Sequence, residues 1–165
     1  HNMTFICADL RTYQPPKNVT AVISLHARDI ATDLALGTAI RAKAKYIACV
    51  PCCHKELLDQ YTMPGLEPLT KFGVFKARFN DVLTDSMRAL KLEAEGYKVS
   101  VVEYISPLDT PKNLLIRATR TGKVNNRAKA EYDAVRRTLG TTSELDRRCA
   151  EMDNEFFITD EDLMG

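Results

Sequence analysis

The residues of this chain best suited to chemistry fall in three short stretches. The most distinctive is Pro51-Cys52-Cys53-His54, which with Cys49 reads Cys-x-x-Cys-Cys-His. Thiolates and imidazole at such spacing invite a zinc site, but adjacent residues converge poorly on one tetrahedral centre and no second ligand pair stands at usable spacing. The pattern therefore reads as a tight turn lined by Cys52, Cys53 and His54, with no metal, or as small residues packed in place. The second stretch, Ser24-Leu25-His26-Ala27-Arg28-Asp29, holds a histidine, whose unperturbed pKa of about 6.5 suits proton transfer near neutrality. His26 is open to that role or to a helix-start hydrogen bond. Asp29 and Asp33 share one helix face, and Asp29 also suits a helix N-cap. The third is Asp9, closing the apolar run MTFICA, where a plain turn aspartate is the simplest reading.

These stretches follow apolar runs. Met3–Ala8, Thr20–Leu25 and Tyr46–Val50 are continuous and uncharged, as expected of strands buried on both faces of a parallel sheet. A helical pattern over 29–42, with Ile30, Leu34 and Ile40 on one face, joins the second and third runs into a right-handed βαβ unit. A helix is predicted over 54–61, then breakers at 63–68, then a long helix over 74–95 with Phe75, Phe79, Val82 and Leu90 inward and Gly96 as its stop. Segments 98–105 and 113–119 read as strands whose short connection makes them antiparallel. Val124, Ala128, Tyr132, Val135 and Leu139 mark a further helix. Thr141–Glu144 offers a capping box for a last one bearing Leu145, Cys149, Met152 and Phe156, followed by an acidic tail.

Strand ends in such a sheet gather ligands beyond their carboxyl ends, so the three chemical stretches are expected around one crevice. The 165 residues, 45% hydrophobic and 27% charged, suffice for one core, and a net charge of +1 gives no global pull toward polyanions. Basic residues do cluster locally, at Lys112, Arg117, Arg120, Lys123, Arg127, Lys129, Arg136 and Arg137, as an RNA-contacting surface or a solvated sheet edge. No secretion leader or membrane span is expected, and five cysteines, three of them within five residues, suggest a reducing cytoplasm.

The segments FICADLRTY, VISLHARDIATDLAL, YIACVPCCHKEL and TPKNLLIRA, in this order, resemble a family of class I, Rossmann-like methyltransferases with SLHxxD and PCCH motifs. Its members include relatives of a tRNA ribose 2′-O-methyltransferase. The resemblance implies an α/β fold, the C-terminal half of the methyltransferase sheet, with parallel strands and a terminal antiparallel hairpin. Residues 1–122 would form the partial domain and 123–165 its helical extension. It implies S-adenosyl-L-methionine as cofactor, with Asp9 and the Leu10 amide meeting adenine, and Ser24, Leu25 and His26 passing the methionine moiety. Arg28, standing where the family carries a small cysteine, Asp33, Cys52 and Cys53 would face the acceptor. His26, Asp29 or His54 would take the proton of a ribose hydroxyl; a nucleobase nitrogen would need no base. No GxG occurs in the chain, so the glycine-rich first strand and turn are expected from a missing N-terminal half. The other reading is a non-catalytic α/β module that needs a partner.

Overall fold

The computed structural model describes residues 3–155. Its order is β1 (Ala21–Leu25), α1 (Ile30–Arg41), β2 (Tyr46–Val50), α2 (Glu67–Thr70), α3 (Gly73–Ala94), β3 (Tyr97–Glu103), β4 (Leu114–Arg120), α4 (Asn126–Leu139) and α5 (Glu144–Glu155). The sheet runs β1-β2-β4-β3. β1 pairs parallel with β2, and β4 lies antiparallel between β2 and β3, so three strands run one way and β4 runs against them. This is the expected α/β sheet with its antiparallel hairpin.

Period-two alternation divides the sheet faces. Ile47, Cys49, Ile116 and Ala118 are buried against α1 and join Leu36, Ala39, Ile40, Leu92, Leu145 and Cys149 in the main core. The register puts Ile23, Ala48, Arg117 and Ser100 in a row on the other face, where Ile23 is 68% exposed. α1 is buried almost all round, because β1 and β2 lie under it and α5 closes from outside. Gly37 permits that closure: an added Cβ would stand 3.0 Å from the Arg148 Cβ. α4 covers α3 through Tyr132 and Leu139, and the Tyr132 hydroxyl donates to Asp146 of α5 at 2.7 Å.

Several expectations need correction. Met3–Ala8 is not a strand: Met3, Phe5 and Ile6 are exposed. An apolar run becomes a strand only when a neighbour takes up its backbone donors and acceptors, and among the described residues no strand lies beyond the free edge of β1. The 54–61 segment is a run of turns, because Leu58 and Gln60 bond only three residues back and the Thr62 amide leaves for the Leu139 carbonyl. On α3, Phe75, Phe79 and Val82 are exposed, whereas Asn80, Thr84, Asp85, Met87 and Arg88 are buried. Of the four apolar positions expected inward on that helix, Leu90 packs against the core and the other three do not. Ile30 and Val124 are likewise exposed. The capping box of α5 is shifted by two residues: Ser143 Oγ accepts from the Asp146 amide, and Asp146 accepts from the Ser143 amide. Phe156 and the acidic tail lie outside the described residues.

Gly96 stops α3 with φ +84°, and its missing side chain is also needed. A Cβ there would meet the Lys123 carbonyl oxygen at 2.7 Å, while the Gly96 carbonyl accepts from the Thr121 amide at 3.0 Å. Gly96→Ala is expected to cost on the order of 1–3 kcal/mol, from positive φ and a backbone clash together. Thermal unfolding showing no loss would contradict this account of the α3–β3 corner.

Candidate active site at the carboxyl ends of the strands

β1 ends at Leu25 and the chain then turns sharply. His26, Arg28 and Asp29 all have positive φ, at 51°, 59° and 41°. Such conformations are costly for residues with a side chain and persist only where surroundings enforce them. Three contacts enforce these. The His26 amide donates to the Val50 carbonyl at 2.9 Å, extending the β1–β2 ladder. The Asp29 carboxylate accepts from the amides of Lys55 and Glu56 at 2.9 and 3.1 Å. The Asp29 carbonyl accepts from Arg88 at 3.2 Å. Asp29 precedes α1 without capping it by its side chain; its carboxylate instead caps the turn after β2, joining the second chemical stretch to the first.

Arg88 sits at the centre of this arrangement, its side chain 2% exposed. Its guanidinium donates to both carboxylate oxygens of Asp33, at 2.8 and 3.2 Å, and to Asp85 at 3.1 Å. Burial pulls the Arg88 pKa down, but Asp33 and then Asp85 outweigh it and leave it above its ordinary value. Asp85 also accepts from His54 Nε2 at 2.8 Å. The other ring nitrogen of His54 stands 3.1 Å from Asp81 and 3.2 Å from Lys112 Nζ, and Lys112 also donates to Asp81. Asn80 donates to the His54 carbonyl. The result is one chain of ion pairs and hydrogen bonds from Asp33 through Arg88, Asp85, His54 and Lys112 to Asp81.

Only the end of this chain meets solvent. A cleft of about 100 Å³ is lined by Pro51, His54, Asp81, Asp85, Lys112 and Leu114, where the Asp81 and Lys112 side chains are 42% and 32% exposed. His54 is 2% exposed and organises the cleft from behind. Lys112 reaches it because Asn113 closes the β3–β4 connection, donating from its side chain to the Ile105 carbonyl at 2.7 Å. Cys52 and Cys53 stand side by side with sulfurs 3.7 Å apart. Burial pushes the Cys52 thiol up, as does Cys53, while the Arg28 backbone pulls it down. Cys49, buried within β2, is pushed by burial to about 12. It faces the core, and among the described residues no cluster of three or more metal-ligating side chains forms.

Of the five residues expected at the cofactor, three line one hollow and Asp9 and His26 do not. Leu10, Ser24 and Leu25 line a largely apolar cavity of about 500 Å³ along the free edge of β1, with Tyr13 and Val22. The Ser24 hydroxyl is buried there without a partner. Asp9 accepts from the Arg11 amide at 2.9 Å, and its carbonyl accepts from the Tyr13 amide at 2.9 Å, as a turn aspartate would. His26, Arg28 and Asp29 follow directly on the end of β1, and Cys52 and Cys53 on the end of β2, and they line neither hollow; Asp33 is buried on Arg88. Sequence reading passed over Asp81, Asp85 and Arg88. Their spacing of four and three places them on one face of α3, a polar stripe that a search for apolar periodicity does not weigh.

Residues 1–60 match a family model described as a methyltransferase domain. This stretch contains β1, α1, β2 and the Cys52–His54 turn. Two glutathione S-transferase C-terminal domain-containing proteins, from Macaca fascicularis and Homo sapiens, are each 26% identical over 140 residues. The matches cover 70% of this chain, which spans 22% of the length of those curated relatives. No solved structure matches the chain.

Two outcomes follow from the charge network. Arg88→Met leaves Asp33 and Asp85 buried without their cation and is expected to destabilise the fold by about 3–5 kcal/mol, with Arg88→Lys recovering only part because lysine lacks the planar fork. Urea unfolding with a loss under about 1 kcal/mol would remove Arg88 from its central place. Burial and then the like charge of Asp33 raise the Glu56 carboxyl from 4.5 to about 7, against the pull of Arg147. The folded state therefore holds a proton there that the unfolded chain has released, so Glu56 lowers stability as pH rises from 4.5 to 7. Glu56→Gln is expected to flatten that decline, which unfolding free energies across this range would show.

Proposed function

We propose that this chain forms the acceptor side of an S-adenosyl-L-methionine-dependent methyltransferase that acts on RNA, completed by a glycine-rich strand and turn supplied from outside these residues. The observation that carries the reading is the cavity along the free edge of β1. It brings Leu10, Ser24 and Leu25 together and contains a buried hydroxyl with no partner. An apolar cavity with an unspent polar group suits the adenosyl part of such a cofactor.

Leu10, Ser24 and Leu25 would hold the cofactor, with Asp9 turned toward its adenine, and the cofactor would supply an electrophilic methyl group. The remaining work is alignment of the acceptor. The His26–Asp29 turn, pinned by the Asp29 carboxylate and by Arg88, presents the exposed His26 and Arg28 side chains at the end of β1. In this reading His26 would take the proton of a ribose hydroxyl. His54, enclosed by Asp85, Asp81 and Lys112, keeps the cleft wall in place. An RNA acceptor is supported by the resemblance of the SLHARD and PCCH stretches to relatives of a tRNA ribose methyltransferase.

One observation favours a second reading, a binding module without catalysis. Ile23 and Leu25 are 68% and 63% exposed on β1, an apolar surface suited to a protein partner.

The 165-residue chain alone is expected to show no low-micromolar affinity for S-adenosyl-L-methionine by calorimetry, and such affinity would overturn the need for an outside glycine-rich turn. A polypeptide in which that turn precedes these residues is expected to transfer radiolabelled methyl into total RNA. His26→Ala is then expected to lower kcat about 10²–10⁴-fold, the usual contribution of a general base. Label in total protein instead would overturn the RNA acceptor, and no transfer at all would favour the binding module.

A further inference from the structure

The end of the sheet opposite the candidate active site carries a different character. Three segments meet there: 14–20 leading into β1, 41–47 between α1 and β2, and 117–130 running off β4 into α4. They contain lysine and arginine but no aspartate or glutamate. The fold joins them directly. The Arg120 amide donates to the Lys45 carbonyl at 2.9 Å, and the Tyr46 amide donates to the Thr20 carbonyl at 3.0 Å.

Two hollows lie in this surface and share Arg120. One, of about 250 Å³, is lined by Gly96, Gly122, Lys123 and Lys129 with Arg120. The other, of about 510 Å³, is lined by Lys17, Asn18, Arg41 and Lys43 with Arg120. Glu95 also borders the first, but Lys91 already holds it at 2.8 Å. Among the described residues Lys17, Arg41, Arg120, Lys123 and Lys129 form no ion pair. In a chain whose net charge is +1, this concentration leaves a strong local excess.

We propose that this amino-end belt is a second binding surface, taking the phosphate backbone of RNA. Lys17, Arg120, Lys123 and Lys129, spread over two adjoining hollows, suit successive phosphates, which contribute affinity and register without reading sequence. Acidic membranes are a poorer match, because the exposed large apolar side chains of the three segments are Tyr46 and Val124, where an interfacial surface presents a continuous row. The β strands separate the belt from the candidate active site by roughly 17 Å, the length of a five-residue strand. RNA held on the belt would reach the acceptor cleft only by passing along the side of the sheet, so the belt would select substrates longer than a few nucleotides.

The proposal deepens the RNA reading above and is tested separately from it. Fluorescence anisotropy of a labelled 20-nucleotide RNA across a salt series would be measured for the chain and for Arg120→Gln/Lys123→Gln/Lys129→Gln, all at exposed positions. The chain is expected to bind with log affinity falling linearly with log salt. The triple variant, with circular dichroism unchanged, is expected to bind at least tenfold more weakly at low salt with a slope shallower by about 2, at roughly 0.7 per lost phosphate contact. Undiminished RNA affinity in the variant would overturn the belt, as would binding to phosphatidylserine vesicles or polyglutamate while RNA stays free. RNA binding that needs the belt, in a completed polypeptide that transfers no methyl, would leave this proposal standing and sink the methyltransferase reading alone.

Discussion

The structure of the site depends on one buried cation. Arg88 is removed from water, a position that is costly for a guanidinium unless its donors are spent on well-placed acceptors. They are: Asp33 takes two, Asp85 one, and the Asp29 carbonyl another. Because those acceptors sit on α1, on α3 and in the turn after β1, Arg88 fixes three pieces of chain relative to one another. Their positions follow from satisfying it.

The strain at His26, Arg28 and Asp29 is intelligible in that frame. Three left-handed residues in four would relax if the turn were free. The Asp29 carboxylate ties the turn to the amides after β2, and Arg88 ties its backbone to α3. The strained turn thereby faces the crevice at a fixed angle, with His26 exposed. His54 extends the same logic outward, passing the order of the buried carboxylates to Lys112 and Asp81 at the cleft. One network thus links the core of the α1–α3 interface to the solvent-facing wall of the site.

The two ends of the sheet serve different chemistry. At the carboxyl ends, acids and bases pair closely, leaving little net field. At the amino ends cations outnumber acids, Glu95 being held by Lys91, and such an excess attracts polyanions at long range. Separating the two lets a charged polymer be attracted without disturbing the buried ion pairs.

Strand order in β1–α1–β2 and the β3–β4 hairpin were readable from the chain, because run length, glycine stops and short connections are local constraints that any packing must respect. The chemical stretches Ser24–Asp29 and Pro51–His54 were readable for the same reason, since each sits where a strand stops. Met3–Ala8 shows the limit: an apolar run says a segment can be buried, and only a neighbouring strand decides whether it is. The inward face of α3 was hidden because Arg88 and Asp85 are buried by partners on α1 and in the turn after β2, far away in sequence. Charge pairing of that kind has no local signature. It is set by which helix packs against which, and so it was the tertiary arrangement that turned Arg88, Asp33, Asp85 and His54 from scattered polar residues into one site.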